Sequence, residues 1–334
     1  MKSRRQKAEG RRQSKQKPFL SFLSAFCLLL TAFRLLPSEF CPSSFILPCV
    51  TPDGKLLAAE ARRRFAEMVA RPEGAIDLAH AALLVAAEER PGTDVDGYRA
   101  RLLELGLAAR ARVAASAGDP VGALNRFVFE EAGFRGNQED YYDARNSLLS
   151  CVIDERRGIP ITLSVVYMEL GRRAGLEVEG VGLPGHFVAR VRANVEGREV
   201  TTLVDPFNRR RIDRDDCQQL LDSLYGGQIA LAEEHLCASQ PREILARLLR
   251  NLKSVYAQGR RFRLALSVIE RILLVEPDAH AERRDRGALL GQLGRYGEAA
   301  AEMHAYLQAE RDAPDSSLVR EQLKKLRLQA AALN

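Results

Sequence analysis

Near the middle of the chain, the stretch LPGHFVARVRANVEGREVTTLVDPFNRR carries His186 and Asp205 on what read as two arms of one hairpin. An imidazole oriented by a carboxylate is the usual means of taking a proton from a thiol or hydroxyl nucleophile. The two positions are nearly symmetric about the Glu196-Gly197 turn signal, so their side chains can face each other across the hairpin. Two uses compete: a working dyad that needs a nucleophile elsewhere in the chain, and a pair whose members simply bind each other.

The remaining chemistry-bearing residues are dispersed. Cys27, Cys41 and Cys49 fall in the first fifty residues, and Cys151, Cys217 and Cys237 are widely spaced in the body. Without a CxxC, an even-numbered framework or a Cys/His cluster at ligand spacing, neither a metal nor a structural disulfide is expected. No GxxxxGK and no GxGxxG after a strand is present, and no cofactor is expected. His80, in IDLAHAALLVAAEE, reads as a packed or capped helix residue; His235, His280 and His304 read as solvent-facing or packing residues.

Net charge points the same way. Residues 1–17 carry eight Lys/Arg against one Glu, which is +7 of a formal total of +6 and leaves the rest near −1. A domain-wide nucleic-acid footprint is therefore not supported. Residues 19–33, FLSFLSAFCLLLTAF, have the length of a signal-peptide core and are short for a bilayer span. No small-x-small cleavage site follows, and Pro37, Pro42 and Pro48 interrupt what comes next. Residues 1–50 thus form a doubtful leader with three readings. A start codon placed too far upstream, with the true beginning at Val50 or just after, leaves a cytoplasmic protein with no membrane association. A genuine signal or anchor exports or tethers it through residues 19–33. A functional basic tail is the third.

With 46% apolar residues, the chain can bury one large core or two or three modest ones. From about Leu56, LLAAEARRRFAEMVAR, AIDLAHAALLVAAEER and VDGYRARLLELGLAARARVA place apolar residues at helical spacing, punctuated by Pro72-Glu73-Gly74 and Pro91-Gly92. Asp119-Pro120 opens another helix, PVGALNRFVFEEAG. Residues 56–135 are expected to form a helical N-terminal subdomain. The polar loop FRGNQEDYYDARN then leads through SLLSCVIDERRG into the helix PITLSVVYMELGRRAG. After it the period changes from 3.6 to 2 in LEVEGVGLP, HFVARVRA and REVTTLVDP, predicting an α+β core over residues 136–235.

From Pro241 onward every segment reads as helix. AQGRRFRLALSVIERILLVEP and GQLGRYGEAAAEMHAYLQAER match at a fixed offset: Gln258/Gln292, Arg261/Arg295, Phe262/Tyr296 and Ala265/Ala299 are each thirty-four residues apart. That period resembles tetratricopeptide repeats over residues 241–330. Two repeats are fewer than a free-standing array needs, so they are expected to dock on the core, with SSLVREQLKKLRLQAA as a cap. Such repeats commonly hold peptides in a concave groove, which implies a protein or peptide partner; buttressing the core is the alternative.

The central motifs carry a further resemblance. A helix opened by Gly-x-x and closed by a glycine, then a strand-borne His and a second strand ending in Asp-Pro, resembles the transglutaminase-like, papain-related core. More narrowly, YYDARNSLLSCVIDERRGIPITLSVVYMELGRRAGL followed by GLPGHFV and LVDPF resembles the bacterial family often labelled SirB, which joins this core to C-terminal tetratricopeptide repeats. The match covers roughly residues 60–320, and the same core resembles part of an animal F-box protein.

In enzymes of this type a cysteine begins the core helix, where free backbone N–H groups and the helix dipole stabilise its thiolate. Counting back from Gly175, that position falls on Pro160, which suits a first helical turn but has no nucleophilic atom. Thr162 and Ser164 lie in the same turn, where a hydroxyl more often caps backbone N–H groups. Cys151, in an apolar helix-like segment, reads as a buried inert thiol, and the acidic neighbours of Cys217 are expected to raise its pKa. The sequence therefore predicts a mainly helical α+β protein that binds partners as a regulatory or scaffolding factor, and the resemblance implies a transglutaminase-like core that has lost acyl-transfer chemistry. The alternative is a hydrolase or acyltransferase using His186 and Asp205 with a non-standard nucleophile, Cys151 or Thr162.

Overall fold

The computed structural model describes residues 52–116 and 118–332; the doubtful leader, residues 1–50, lies outside the described residues. The class is the mainly helical α+β one read from the sequence, with twelve α-helices among the described residues. Helix α1 (Pro52–Val69) pairs with α2 (Leu78–Glu89), followed by α3 (Val95–Ala114) and α4 (Pro120–Arg126). Aspartate starts three of them: Asp77, Asp94 and Asp119 each accept a backbone N–H of the first turn, from His80, Gly97 and Gly122 at 2.9 Å. This satisfies donors that a helix start otherwise leaves open. Helix α2 is apolar on nearly every side, and nine of its residues are buried, which makes it the element on which both α1 and α3 pack.

The segment PVGALNRFVFEEAG is not one regular helix. After α4 the chain widens into a π-turn over Phe127–Glu131, burying Phe127, Val128 and Phe129 in succession. A short turn (Ala144–Ser147) and α5 (Leu149–Glu155) lead to α6 (Pro160–Arg173), the core helix. Proline at its first position costs no hydrogen bond, and Gly175 just beyond its end takes φ +87°. Two-residue strands β1 (Arg135–Gly136) and β2 (Arg157–Gly158) pair in parallel beside it, a feature with no sequence signal.

Four antiparallel strands run in sequential order: β3 (Glu177–Val181), β4 (Val188–Val195), β5 (Arg198–Asp205) and β6 (Arg210–Ile212). The β4–β5 hairpin turns at Glu196 and Gly197, with φ +52° and +79°, the left-handed pair that a tight hairpin needs. Helix α6 lies against β3 and β4. At Gly171 a side chain would stand 2.6 Å from Val178, so the close approach of helix and strand depends on that glycine. Helix α7 (Arg214–Tyr225) and a turn at Glu233–Leu236 complete this region.

Helices α8 (Pro241–Gln258), α9 (Phe262–Val275), α10 (His280–Gln292), α11 (Tyr296–Ala309) and α12 (Ser316–Ala331) pack each on the next. The thirty-four-residue period recurs in the backbone. Arg261 and Arg295 cap α9 and α11 with nearly identical dihedrals, φ/ψ −85°/61° and −87°/59°, and each follows a left-handed residue, Arg260 or Gly294. Ala265 and Ala299 are fully buried. The array docks: α9 packs on α1, and α8 on α2 and on the Ala144–Ser147 turn. Buried charges join it to the N-terminal helices, with Arg271 bound to Glu89 and to the Val85 carbonyl, and Arg62 reaching Glu88, Ser267 and Glu270.

Candidate functional site

His186 stands just ahead of β4, not within it. The turn Leu183–His186 closes through a 3.2 Å bond from the His186 N–H to the Leu183 carbonyl, with Gly185 at φ +70°. Asp205 ends β5 and is fully buried. The hairpin brings them together: Nε2 of His186 lies 2.9 Å from Oδ2 of Asp205. An ionised carboxylate only accepts, so Nε2 carries the proton of this bond, and Nδ1 is the nitrogen left for proton transfer.

Asp205 has three further donors. Its Oδ1 accepts the backbone N–H of Phe207 at 3.0 Å and of Asn208 at 3.1 Å, and Oδ2 accepts Nδ2 of Asn208 at 2.7 Å. Burial alone pushes this carboxyl up, but the His186 hydrogen bond and charge, with the Asn208 donors, outweigh it and hold the carboxyl below the usual aspartate range. The imidazole is almost wholly enclosed, its ring edge-to-face with Phe207 at 6.3 Å. Phe207 sits against Gly136 of β1 so closely that a Cβ there would meet its ring at 2.7 Å. Tyr141 also packs edge-to-face with Phe207, and Tyr142, half exposed, with Tyr141. Burial pushes the Tyr141 phenol up to about 12.

The other sequence-selected residues have different surroundings. Pro160 is buried at the start of α6. The Thr162 hydroxyl accepts the Ile159 N–H at 3.2 Å and lies 2.8 Å from the Asn146 carbonyl, so it is committed to the helix start. Ser164, also buried, reaches the Phe187 carbonyl at 3.4 Å, the weak limit of a hydrogen bond. Cys151 is buried in α5 and accepts from Nη1 of Arg90 at 2.7 Å. Among the described residues no hydrogen bond links Cys151, Thr162 or Ser164 to His186. Cys217 is buried, and burial first, then Asp216 and Asp213, push its thiol up to about 11; the sequence named only the acidic neighbours. Cys151, Cys217 and Cys237 are free thiols.

Three contributors escaped the sequence reading. Asn208 was legible in principle, since Asp-Pro-x-Asn is a turn signal in which the aspartate accepts nearby N–H groups. Tyr141 and Arg247 were not, because they come from distant segments. Arg247 of α8 donates through Nη2 to the carbonyls of Leu183 at 2.7 Å and His186 at 2.6 Å, gripping the turn that presents the imidazole. Among the described residues, no group of three or more His, Cys, Asp and Glu side chains is placed to hold a metal, and no helix is long and apolar enough to cross a membrane.

Comparison with known proteins adds the family. The model of the transglutaminase-like superfamily matches residues 96–250, and a tetratricopeptide repeat model matches residues 252–324. A UPF0162 protein of Xylella fastidiosa is 34% identical over 258 residues, covering 75% of this chain and 90% of that protein. The chain belongs to the UPF0162 family. Another member, from Pseudomonas aeruginosa, is 33% identical over 218 residues, covering 65% of this chain and 78% of the relative. F-box only protein 21 of Mus musculus is 31% identical over 114 residues, 31% of this chain and 18% of that protein. No solved structure matches. Both of these UPF0162 relatives are bacterial.

Proposed function

We propose that this UPF0162 member, of SirB type, acts as a protein-interaction factor, regulatory or scaffolding, whose transglutaminase-like core no longer performs acyl transfer. The proposed organisation is a helical subdomain at residues 56–135, the core at 136–235 and the repeats at 241–330. The observation that carries the reading is Pro160 at the start of α6, where a helix N-terminus would best stabilise a thiolate and no thiol stands. The nearby hydroxyl of Thr162 is engaged by backbone groups, and the Cys151 thiol is held by Arg90. The docked repeats supply a surface of the kind that holds protein partners.

A second reading, a hydrolase or acyltransferase with a non-standard nucleophile, is favoured by the His186–Asp205 bond itself, since an imidazole with a free Nδ1 beside a low-pKa carboxylate is competent as a base. Thiol- and serine-directed activity probes, with amide and ester turnover assays, separate the two. Background labelling and turnover are expected, because loss of a triad nucleophile costs on the order of 10⁶-fold in rate. His186-dependent turnover defeats the proposal and moves the search to Cys151, Thr162 and Ser164.

A further inference from the structure

The Arg247 guanidinium uses one nitrogen, Nη2, for the two carbonyls of the His186 turn and lies over the Phe187 ring at 5.3 Å. No carboxylate pairs with it among the described residues. Arg250, three residues further along the same helix, pairs with both Glu276 and Glu282, and Arg271, Arg284 and Arg190 likewise hold carboxylates. Burial pulls Arg247 below the usual guanidinium range, and the groups acting in the other direction are Tyr225 and Tyr141, not an acid.

Of those two tyrosines, one stands against the same turn and the other stands one ring away from the imidazole. Tyr225 Oη, at the end of α7, lies 3.0 Å from where a Cβ on Gly185 would be, so the phenol stands directly against the turn that presents His186. Tyr141 reaches the imidazole's surroundings through Phe207, at 5.9 Å between rings. Neither hydroxyl has a hydrogen-bond partner among the described residues. Two phenols and the Nε and Nη1 edges of a guanidinium thus offer donors, and one positive charge stands without an acid.

We propose that Arg247, Tyr141 and Tyr225 form a subsite beside His186 that binds a carboxylate group of a peptidic ligand. A half-desolvated cation with no counter-charge gains most from an anion, and the planar fork of arginine matches the two oxygens of a carboxylate. One positive charge complements the single charge of a carboxylate better than a phosphate dianion. The subsite goes beyond the protein-interaction reading: it lies in the core rather than on the repeats, and it is occupied whether or not the core turns anything over.

The test reads binding alone. In the full chain with isotope-labelled histidine, the His186 imidazole resonance, assigned with His186→Gln, is followed during titration with four probes: N-acetyl-dialanine, its amide, N-acetylglutamate amide and N-acetylglutamine amide. Saturable shifts are expected with the free acids and not with their neutral counterparts. The acid that binds tells whether a chain terminus or a side-chain carboxylate is read. Arg247→Gln is expected to weaken binding about tenfold or more, and Tyr141→Phe with Tyr225→Phe several-fold. Equal shifts from acids and amides, tighter binding of inorganic phosphate, or unchanged affinity in Arg247→Gln overturns the proposal. If Arg247→Gln does not fold, the double tyrosine variant decides, and unchanged affinity there overturns it too. Turnover assays on the same samples keep this outcome separate from the question of catalysis.

Discussion

Asp205 shows how one fully buried charge is tolerated: four donors meet its two oxygens, and together they outweigh the cost of desolvation. Asp205→Ala leaves those donors without an acceptor, and a loss of about 3–5 kcal/mol is expected. The pH dependence follows from the direction of the shift. The folded-state pKa lies below that of an unfolded aspartate, about 3.9, so the stabilisation is complete above that value and fades as pH falls through the lower folded one. The melting-temperature gap between wild type and Asp205→Ala is therefore expected to be widest near neutrality and to narrow on acidification; a gap independent of pH would contradict this account. At Pro160 the converse test applies. Pro160→Cys places a thiol at the start of α6, where the helix N-terminus favours the thiolate. Its alkylation rate is expected to exceed that of Cys151, and a slower rate would remove the case for a vestigial nucleophile position.

Among the elements, the β4–β5 hairpin and α8 carry the site between them. The hairpin sets the His186–Asp205 pair, while α8 holds the carbonyls of the turn before β4 through Arg247. The repeat helices depend on small residues at their contacts. Ala265 and Ala299 are fully buried, and Gly287 of α10 stands so near Met303 and the Ala299 carbonyl that an added Cβ would lie 2.9 Å from the one and 3.1 Å from the other. Arginine at position 265 or 299 is expected to overpack these contacts by about 1–3 kcal/mol or more. An unchanged melting temperature in both variants would show that the helices do not pack as described.

The described residues are held together by a main core that runs from Ala61 in α1 to Leu326 in α12, with a smaller separate cluster of Val181, Leu183, Val188, Ile212 and Cys217. Charged groups are built into the same junction. Arg271 is wholly buried and joins α9 to Glu89 of α2, whose carboxylate also accepts the Tyr256 hydroxyl at 2.6 Å. Arg271→Met leaves Glu89 without its cation, and about 3–5 kcal/mol of destabilisation is expected. Because the junction links both halves of the described chain, unfolding followed by helical circular dichroism is expected to shift as one transition. A variant in which only the repeat array melts early would mean that the two halves are not coupled through this pair.

Much of this organisation was legible from local pattern. The 3.6-residue period marked the N-terminal helices, the change to alternation marked β3 to β5, and the thirty-four-residue offset marked the repeats, because each of these periodicities reflects a face that must be buried. Proline at 160 and glycine at 175 marked the ends of the core helix, and Glu196-Gly197 marked the hairpin, because the backbone conformations required there favour or tolerate those residues. The facing of His186 and Asp205 followed from that turn. Local pattern is blind to what distant segments contribute. The π-turn after α4, the short β1–β2 pair and the placing of Phe207 against Gly136 arise from packing between segments far apart in the chain. So does the approach of Arg247, sixty-one residues beyond His186, whose guanidinium has no carboxylate partner among the described residues because α8 docks where none of their acids stands. A side chain's charge is written in the sequence, whereas its desolvation and its partners depend on which surfaces meet when the helices close over the sheet.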